Sequence, residues 1–191
     1  MKIIGLGHYS RVGKDTFANY LVESLAEYQP SLKVLKRSFA WKLKQVTHEL
    51  FSWAGLREPE FYETAEGAAV RQVKLLDLDM TPVEIWVAFG TKAVREQVYS
   101  NTWVDYLLRQ TDCDVLIIPD VRFPNEAEAI HKLGGQLIKV VRPGFGPLNT
   151  VADQALHDYS GWDAIVGQDG EISSLHHAAN HLAKEIVCSA Q

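Results

Sequence analysis

The stretch GHYSRVGKDT, Gly7 to Thr16, holds the residue types of a loop that binds phosphate. A glycine-rich turn between a strand and a helix can wrap backbone N–H groups around phosphate oxygens, and the helix N-terminus adds partial positive charge there. Lys14 stands where a lysine reaches the outer phosphates as a point charge. The usual spacing has four residues between the first glycine and Gly-Lys, followed by Ser or Thr. Here five residues separate Gly7 from Gly13, and Asp15 replaces the hydroxyl. A bulge over His8–Arg11 would absorb the extra residue. A carboxylate beside a polyphosphate is repulsive unless Mg²⁺ lies between them. Asp15 or Thr16 is therefore expected to support Mg²⁺, with Thr16 supplying the hydroxyl one place late. Arg11 is a second cation within the loop, or else a solvated arginine. The plainer alternative for the whole stretch is a small-residue turn with no ligand; the order strand, loop, helix favours phosphate.

A second group lies at the end of the apolar run VLIIPD. Asp120 falls where a doubly wound sheet presents its ligand crevice. A carboxylate there can hold Mg²⁺ or its water, orient an acceptor, or cap the following helix. Arg122, two residues on, points to the same side of an extended segment. Its guanidinium can grip a phosphate bidentately or pair with Asp120. His177 and His181 have i, i+4 spacing, but without the His-Glu-x-x-His pattern they read as a helix surface.

These residues need a frame to position them. Ile3–Leu6 is a short apolar run and reads as a buried strand. After it, Phe17, Leu21, Leu25 and Tyr28 recur at helical spacing, closed by Pro30. LKVLKRSF, DVLIIPD, QLIKVV and DAIV read as further strands. AWKLKQVTHELFSWAG, TPVEIWVAFG (Thr81 capping, Pro82 first), NTWVDYLLRQ, PNEAEAIHKLGG and ISSLHHAANHLAKEIV read as helices. Residues 56–79 are expected to be irregular or short helical segments. Alternating strands and helices imply a mainly parallel sheet covered on both faces.

The chain has 191 residues, 47% hydrophobic and 23% charged, with a formal net charge of -5. That suits a single domain over 1–191 and argues against a protein that binds a nucleic-acid polymer through a basic face. Cys113 and Cys188 form no metal-type or redox pair, as expected of free thiols in a reducing compartment. No run approaches the ~20 apolar residues of a membrane span, and MKIIGLG lacks a signal peptide's apolar stretch. A cytoplasmic protein with no membrane partner is expected.

GKDT joins SFAWKLKQVTHELF, GTKAVR followed by WVDYLL, PDVRFPNEAEAI and KVVRPG, in that order over about residues 3–143. Together they resemble the deoxynucleoside monophosphate kinases of bacteriophages, relatives of the P-loop nucleoside monophosphate kinases. The resemblance implies a P-loop kinase fold with about five strands, located in the host cytoplasm if the chain is viral. It also implies Mg²⁺-dependent transfer of the ATP γ-phosphoryl to a deoxynucleoside monophosphate. ATP would be held by Gly7, Arg11, Gly13, Lys14, Asp15, Thr16 and Arg142. Lys14, Asp120 and Arg122 would be catalytic, with Asp15, Thr16 and Asp120 toward Mg²⁺. The monophosphate region would fall within 37–110 and use Arg37, Phe39, Lys42, Lys44 and Arg95. Arg122, Asn125 and Glu126 would join it as substrate contacts. Lys42 and Lys44, two apart on a helix, cannot both face one ligand. A homodimer remains open, as do a kinase for another small acceptor and a nucleotide-binding regulator without transfer.

Val83 and Val87 stand where the family often carries Arg and Gln. LHDYSGW keeps the family's His-x-Ser-Glu only in outline. No lysine or arginine occurs between Pro143 and Ala183, where adenylate-kinase-type enzymes carry lid arginines. Such a cation can matter by ~10³–10⁵ in rate. Arg11, Arg122 or Arg142, or another subunit, must then meet the charge of the transferring group. Alanine at each of the three is expected to reduce turnover in at least one case; undiminished turnover in all three would rule them out.

Overall fold

The computed structural model describes residues 1–148, 151–167 and 171–188. Its backbone divides into two compact units, Met1–Ser38 with Asp112–Gln191, and Phe39–Thr111.

In the first unit, the apolar run Ile3, Ile4, Leu6 becomes β1 (Lys2–Gly7), the middle strand of a five-stranded sheet. The others are β2 (Val34–Lys36), β3 (Val115–Val121), β4 (Gln136–Val141) and β5 (Ala164–Gly167). Their order is β2-β3-β1-β4-β5, and every pairing is parallel. Side chains alternate along a strand, so β1 supplies two different faces. Ile4 and Leu6 pack with Phe17, Leu21 and Leu25 of α1 (Lys14–Tyr28) and with Leu175, Ala179, Ala183 and Ile186 of α8 (Ile172–Cys188). On the opposite face, α6 (Pro124–Lys132) lies so close to Gly5 that an added Cβ would meet Ile130 at 2.7 Å. Helices thus cover both faces, and α7 (Val151–Gln154) precedes β5. This is the architecture of a P-loop kinase.

The β1–β3 register steps from Gly5 opposite Ile118 to Gly7 opposite Val121. That irregularity sets the end of β1 beside the end of β3. The residues singled out for chemistry, the loop after Gly7 and the Asp120–Arg122 segment, therefore meet at the carboxyl edge of neighbouring strands, where open α/β sheets bind ligands.

The second unit consists of helices and turns. They are α2 (Ala40–Phe51), 3₁₀ turns at Ser52–Ala54 and Pro59–Glu63, α3 (Ala65–Val70), α4 (Pro82–Trp86) and α5 (Thr102–Gln110). Leu56, Tyr62 and Ile85 form a small core with Phe51, Phe61 and Trp86 against it. Thr81 caps α4 as its sequence predicts: its hydroxyl accepts from Glu84 N at 3.2 Å, and Glu84 Oε2 accepts from Thr81 N at 2.8 Å. Beyond Trp86, however, the helix widens into a π-helix over Val87–Arg95. Trp103 Nε1 donates to Gly90 O at 3.1 Å within that stretch, so this indole belongs to the packing. The second strand is shorter than LKVLKRSF suggests, because its pairing with β3 ends at Lys36.

Ile117, fully buried in β3, should cost about 2–5 kcal/mol when replaced by alanine. Thr81→Ala, which removes one cap, should cost only ~1 kcal/mol. Urea unfolding of both variants checks the contrast; equal losses would contradict this division between core and cap.

Candidate functional site

Gly13 adopts a left-handed conformation at φ 101° and forms the N-cap of α1. His8 (φ 97°) and Arg11 (φ 64°) are also left-handed, although neither is glycine. Such conformations cost on the order of 1–3 kcal/mol each and persist where surrounding contacts over-determine them. The extra loop residue is thus absorbed by two unfavourable backbone turns on either side of Tyr9 and Ser10. Gly7 is needed for another reason. An added Cβ there would lie 2.4 Å from the Trp162 ring, which rests directly on the strand end.

Lys14 is buried, with 6% of its surface exposed. Its Nζ donates to His8 O at 3.1 Å and to Tyr9 O. Burial, and then the nearby Arg122 guanidinium, lower its pKa to about 8, with Asp15, Asp153 and Asp120 opposing that shift. Lys14, Arg122 and three carboxylates therefore share one electrostatic environment. His8 is also perturbed: burial and the Lys139 ammonium bring it to about 4, so its imidazole is neutral at pH 7. It stacks on Tyr9 with ring centroids 3.6 Å apart, and the Tyr9 hydroxyl lies 2.6 Å from His157 Nδ1.

Arg122 Nη1 donates to Asp153 Oδ1 at 3.1 Å and contacts Ser10 Oγ at 3.4 Å. The ion pair of Arg122 with Asp153 joins the end of β3 to α7. Asp153, Ser10 and the His8–Tyr9 stack carry no spacing signal. Ser10 and Asp153 are 143 positions apart in the chain, and a lone aspartate in TVADQAL resembles any surface acid.

The remaining candidates take varied places. Asp120 is half-buried near the end of β3, Asp15 is exposed in the first turn of α1, and Thr16 beside it is half-buried. Asn125 is half-buried in the first turn of α6. Glu126 Oε2 accepts from the backbone N–H of Arg122 at 2.8 Å and of Phe123 at 3.1 Å, which ties the start of α6 to the strand end. Arg142 lies over the Phe145 ring at 4.4 Å. Arg37 is half-buried, and its N–H donates to Ile117 O at 3.0 Å. In the second unit, Phe39 is buried just before α2 and Arg95 is half-buried. Lys42 sits over Tyr106 at 5.3 Å, whereas Lys44 pairs with Glu63 at 2.8 Å, so the two lysines engage different partners.

Among the described residues, no group of three or more His, Cys, Asp or Glu side chains could hold a metal by itself. The oxygen donors of Asp15, Thr16 and Asp120 suit Mg²⁺, which commonly takes one or two protein ligands and completes its shell with phosphate and water. No helix among the described residues is long and apolar enough to cross a membrane.

No protein-family model matches the chain. The chain is similar, at 27% identity over 191 residues, to an Acanthamoeba polyphaga mimivirus protein named "Putative deoxynucleotide monophosphate kinase". The match spans 92% of this chain and 93% of that one.

A lysine whose pKa is about 8 when folded and near 10.5 when unfolded opposes folding below pH 8. The shift corresponds to roughly 3 kcal/mol. The unfolded chain binds the extra proton between the two values, so stability rises with pH across that window. Lys14→Met should therefore raise the unfolding free energy at pH 7, and its advantage should shrink between pH 8 and 10.5. Denaturant titrations at pH 7, 9 and 10 check this; a pH-independent difference would contradict it.

Proposed function

We propose that the protein is a deoxynucleoside monophosphate kinase that transfers the γ-phosphoryl group of ATP to the acceptor's phosphate, giving the deoxynucleoside diphosphate and ADP. The observation that carries this reading is the meeting of Lys14 and Arg122 at the loop after β1, two cations beside a left-handed backbone turn. The relative's name and the length of the match support it.

In the reaction, an oxygen of the acceptor monophosphate forms a bond to the γ-phosphorus, and the bond from that phosphorus to the β–γ bridging oxygen breaks. A phosphate monoester with a second pKa near ~6 is largely dianionic at neutral pH, so its attacking oxygen needs no general base. The residues' work is alignment and charge neutralisation. Lys14 would exchange its two carbonyl contacts for β- and γ-phosphate oxygens, which would relieve the electrostatic loss of its burial. Arg122 would meet the transferring group or the acceptor phosphate. Asp15, Thr16 and Asp120 would hold Mg²⁺, which when bound offsets phosphate charge and orients the chain of oxygens. Arg142 and the loop backbone would receive ATP, with Arg37, Phe39, Lys42, Lys44, Arg95, Asn125 and Glu126 as candidates for the acceptor. The nucleotide-binding regulator remains the second reading, favoured by the absence of lysine and arginine between Pro143 and Ala183.

Acceptor-dependent ADP release from Mg²⁺-ATP, with dAMP, dGMP, dCMP and dTMP offered separately, tests the proposal. Turnover with at least one monophosphate is expected, falling roughly 10²–10³-fold in Lys14→Ala. ATP binding without turnover on any monophosphate would refute it in favour of the regulator or another acceptor.

A further inference from the structure

Asp153 lies in the stretch that brings no lysine or arginine to the loop, yet its carboxylate hydrogen-bonds the loop directly. Its side chain has no exposed surface. Oδ1 accepts from Ser10 Oγ at 2.7 Å and from Arg122 Nη1 at 3.1 Å; Oδ2 accepts from Ser10 N at 3.2 Å and from Leu148 N at 3.1 Å. A carboxylate enclosed in this way would ordinarily take up a proton. Here burial does push its pKa up, but the Ser10 hydroxyl, the Leu148 and Ser10 N–H groups and Arg122 outweigh it and hold Asp153 below the usual range. It is therefore ionised at neutral pH.

We propose that Asp153 is a positioning residue for phosphate binding: one buried carboxylate fixes the phosphate loop, through Ser10, and Arg122, at the end of β3, in a single arrangement around Lys14. The inference rests on the nucleotide-kinase reading. Ser10 belongs to the left-handed turn between His8 and Arg11, a segment that its own backbone preferences would not hold. Arg122 comes from an element 112 positions away. Asp153 spans the two. Both Arg122 contacts fall on Nη1, while 36% of its side chain remains exposed. A guanidinium gripped by one nitrogen keeps the rest of its planar fork for a ligand.

The test is calorimetric binding of Mg²⁺-ATP, with steady-state kinetics, on the wild-type chain, Asp153→Asn, Arg122→Ala and the double variant. Misplacement of aligned groups by about an ångström can cost on the order of 10²-fold. Asp153→Asn should therefore weaken ATP binding about tenfold and lower kcat/KM by ~10–100-fold. In the Arg122→Ala background the part of that loss carried through the guanidinium should vanish, leaving the part carried through Ser10, which a general loss of stability would not produce. Unchanged or tighter ATP binding in Asp153→Asn would overturn the inference, and so would an equal loss in both backgrounds. If Asp153→Asn fails to fold, Ser10→Ala removes one link alone and should weaken ATP binding measurably; unchanged affinity there would also overturn it. Wild-type protein that binds no ATP would instead refute the kinase reading, and this inference with it.

Discussion

The ammonium of Lys14 is withdrawn from water inside a strand-to-helix turn, and much of the local backbone answers to it. An enclosed cation must find acceptors, and the ones it finds are the carbonyls of His8 and Tyr9. Those carbonyls are presented by a loop that enters through a left-handed His8 and leaves through a left-handed Arg11 and Gly13. Even so, the lysine pKa of about 8 shows that the carbonyls and nearby carboxylates only partly offset its burial. Sites arranged for charged ligands commonly trade stability in this manner.

Around this lysine both signs of charge converge from several elements. The cations come from the loop helix and from the segment after β3, and the acids come from α1 (Asp15), β3 (Asp120) and α7 (Asp153). The stretch between Pro143 and Ala183, without lysine or arginine, thus meets the loop through Asp153 rather than through a basic lid. Glu126 has a related role on the far side of Arg122: its carboxylate secures the backbone N–H of Arg122 while Asp153 holds the guanidinium. The arginine is restrained at both ends of its length by two acids from different helices.

The frame was largely readable because it depends on local periodicity. Apolar runs such as VLIIPD and QLIKVV become strands, and the spacing Phe17, Leu21, Leu25 becomes the buried face of α1. The Thr81–Pro82 signal marks its helix start for the same reason: the cap is made within four residues. What escaped depends on distant partners. The π-helix over Val87–Arg95 is not marked by its letters; within it Gly90 is pressed against Leu43. Lys14 and Arg122 could be picked out by motif position, but the carboxylate that joins Arg122 to the loop could not. Nor could the Trp162 ring on Gly7, since the two are 155 positions apart in the chain.

Strand order carries a consequence for how the chain is made. β3 lies between β2 and β1, yet it is the last of the three to be synthesised. Until Val115–Val121 appear, β1 and β2 have no edge in common, and the whole Phe39–Thr111 segment must be delivered first. At ~5–20 residues per second, a ribosome leaves the apolar faces of β1 and α1 waiting for several seconds. In that interval the nascent chain offers a chaperone an unpaired, hydrophobic strand, while the helical second unit, contiguous in sequence, is already complete.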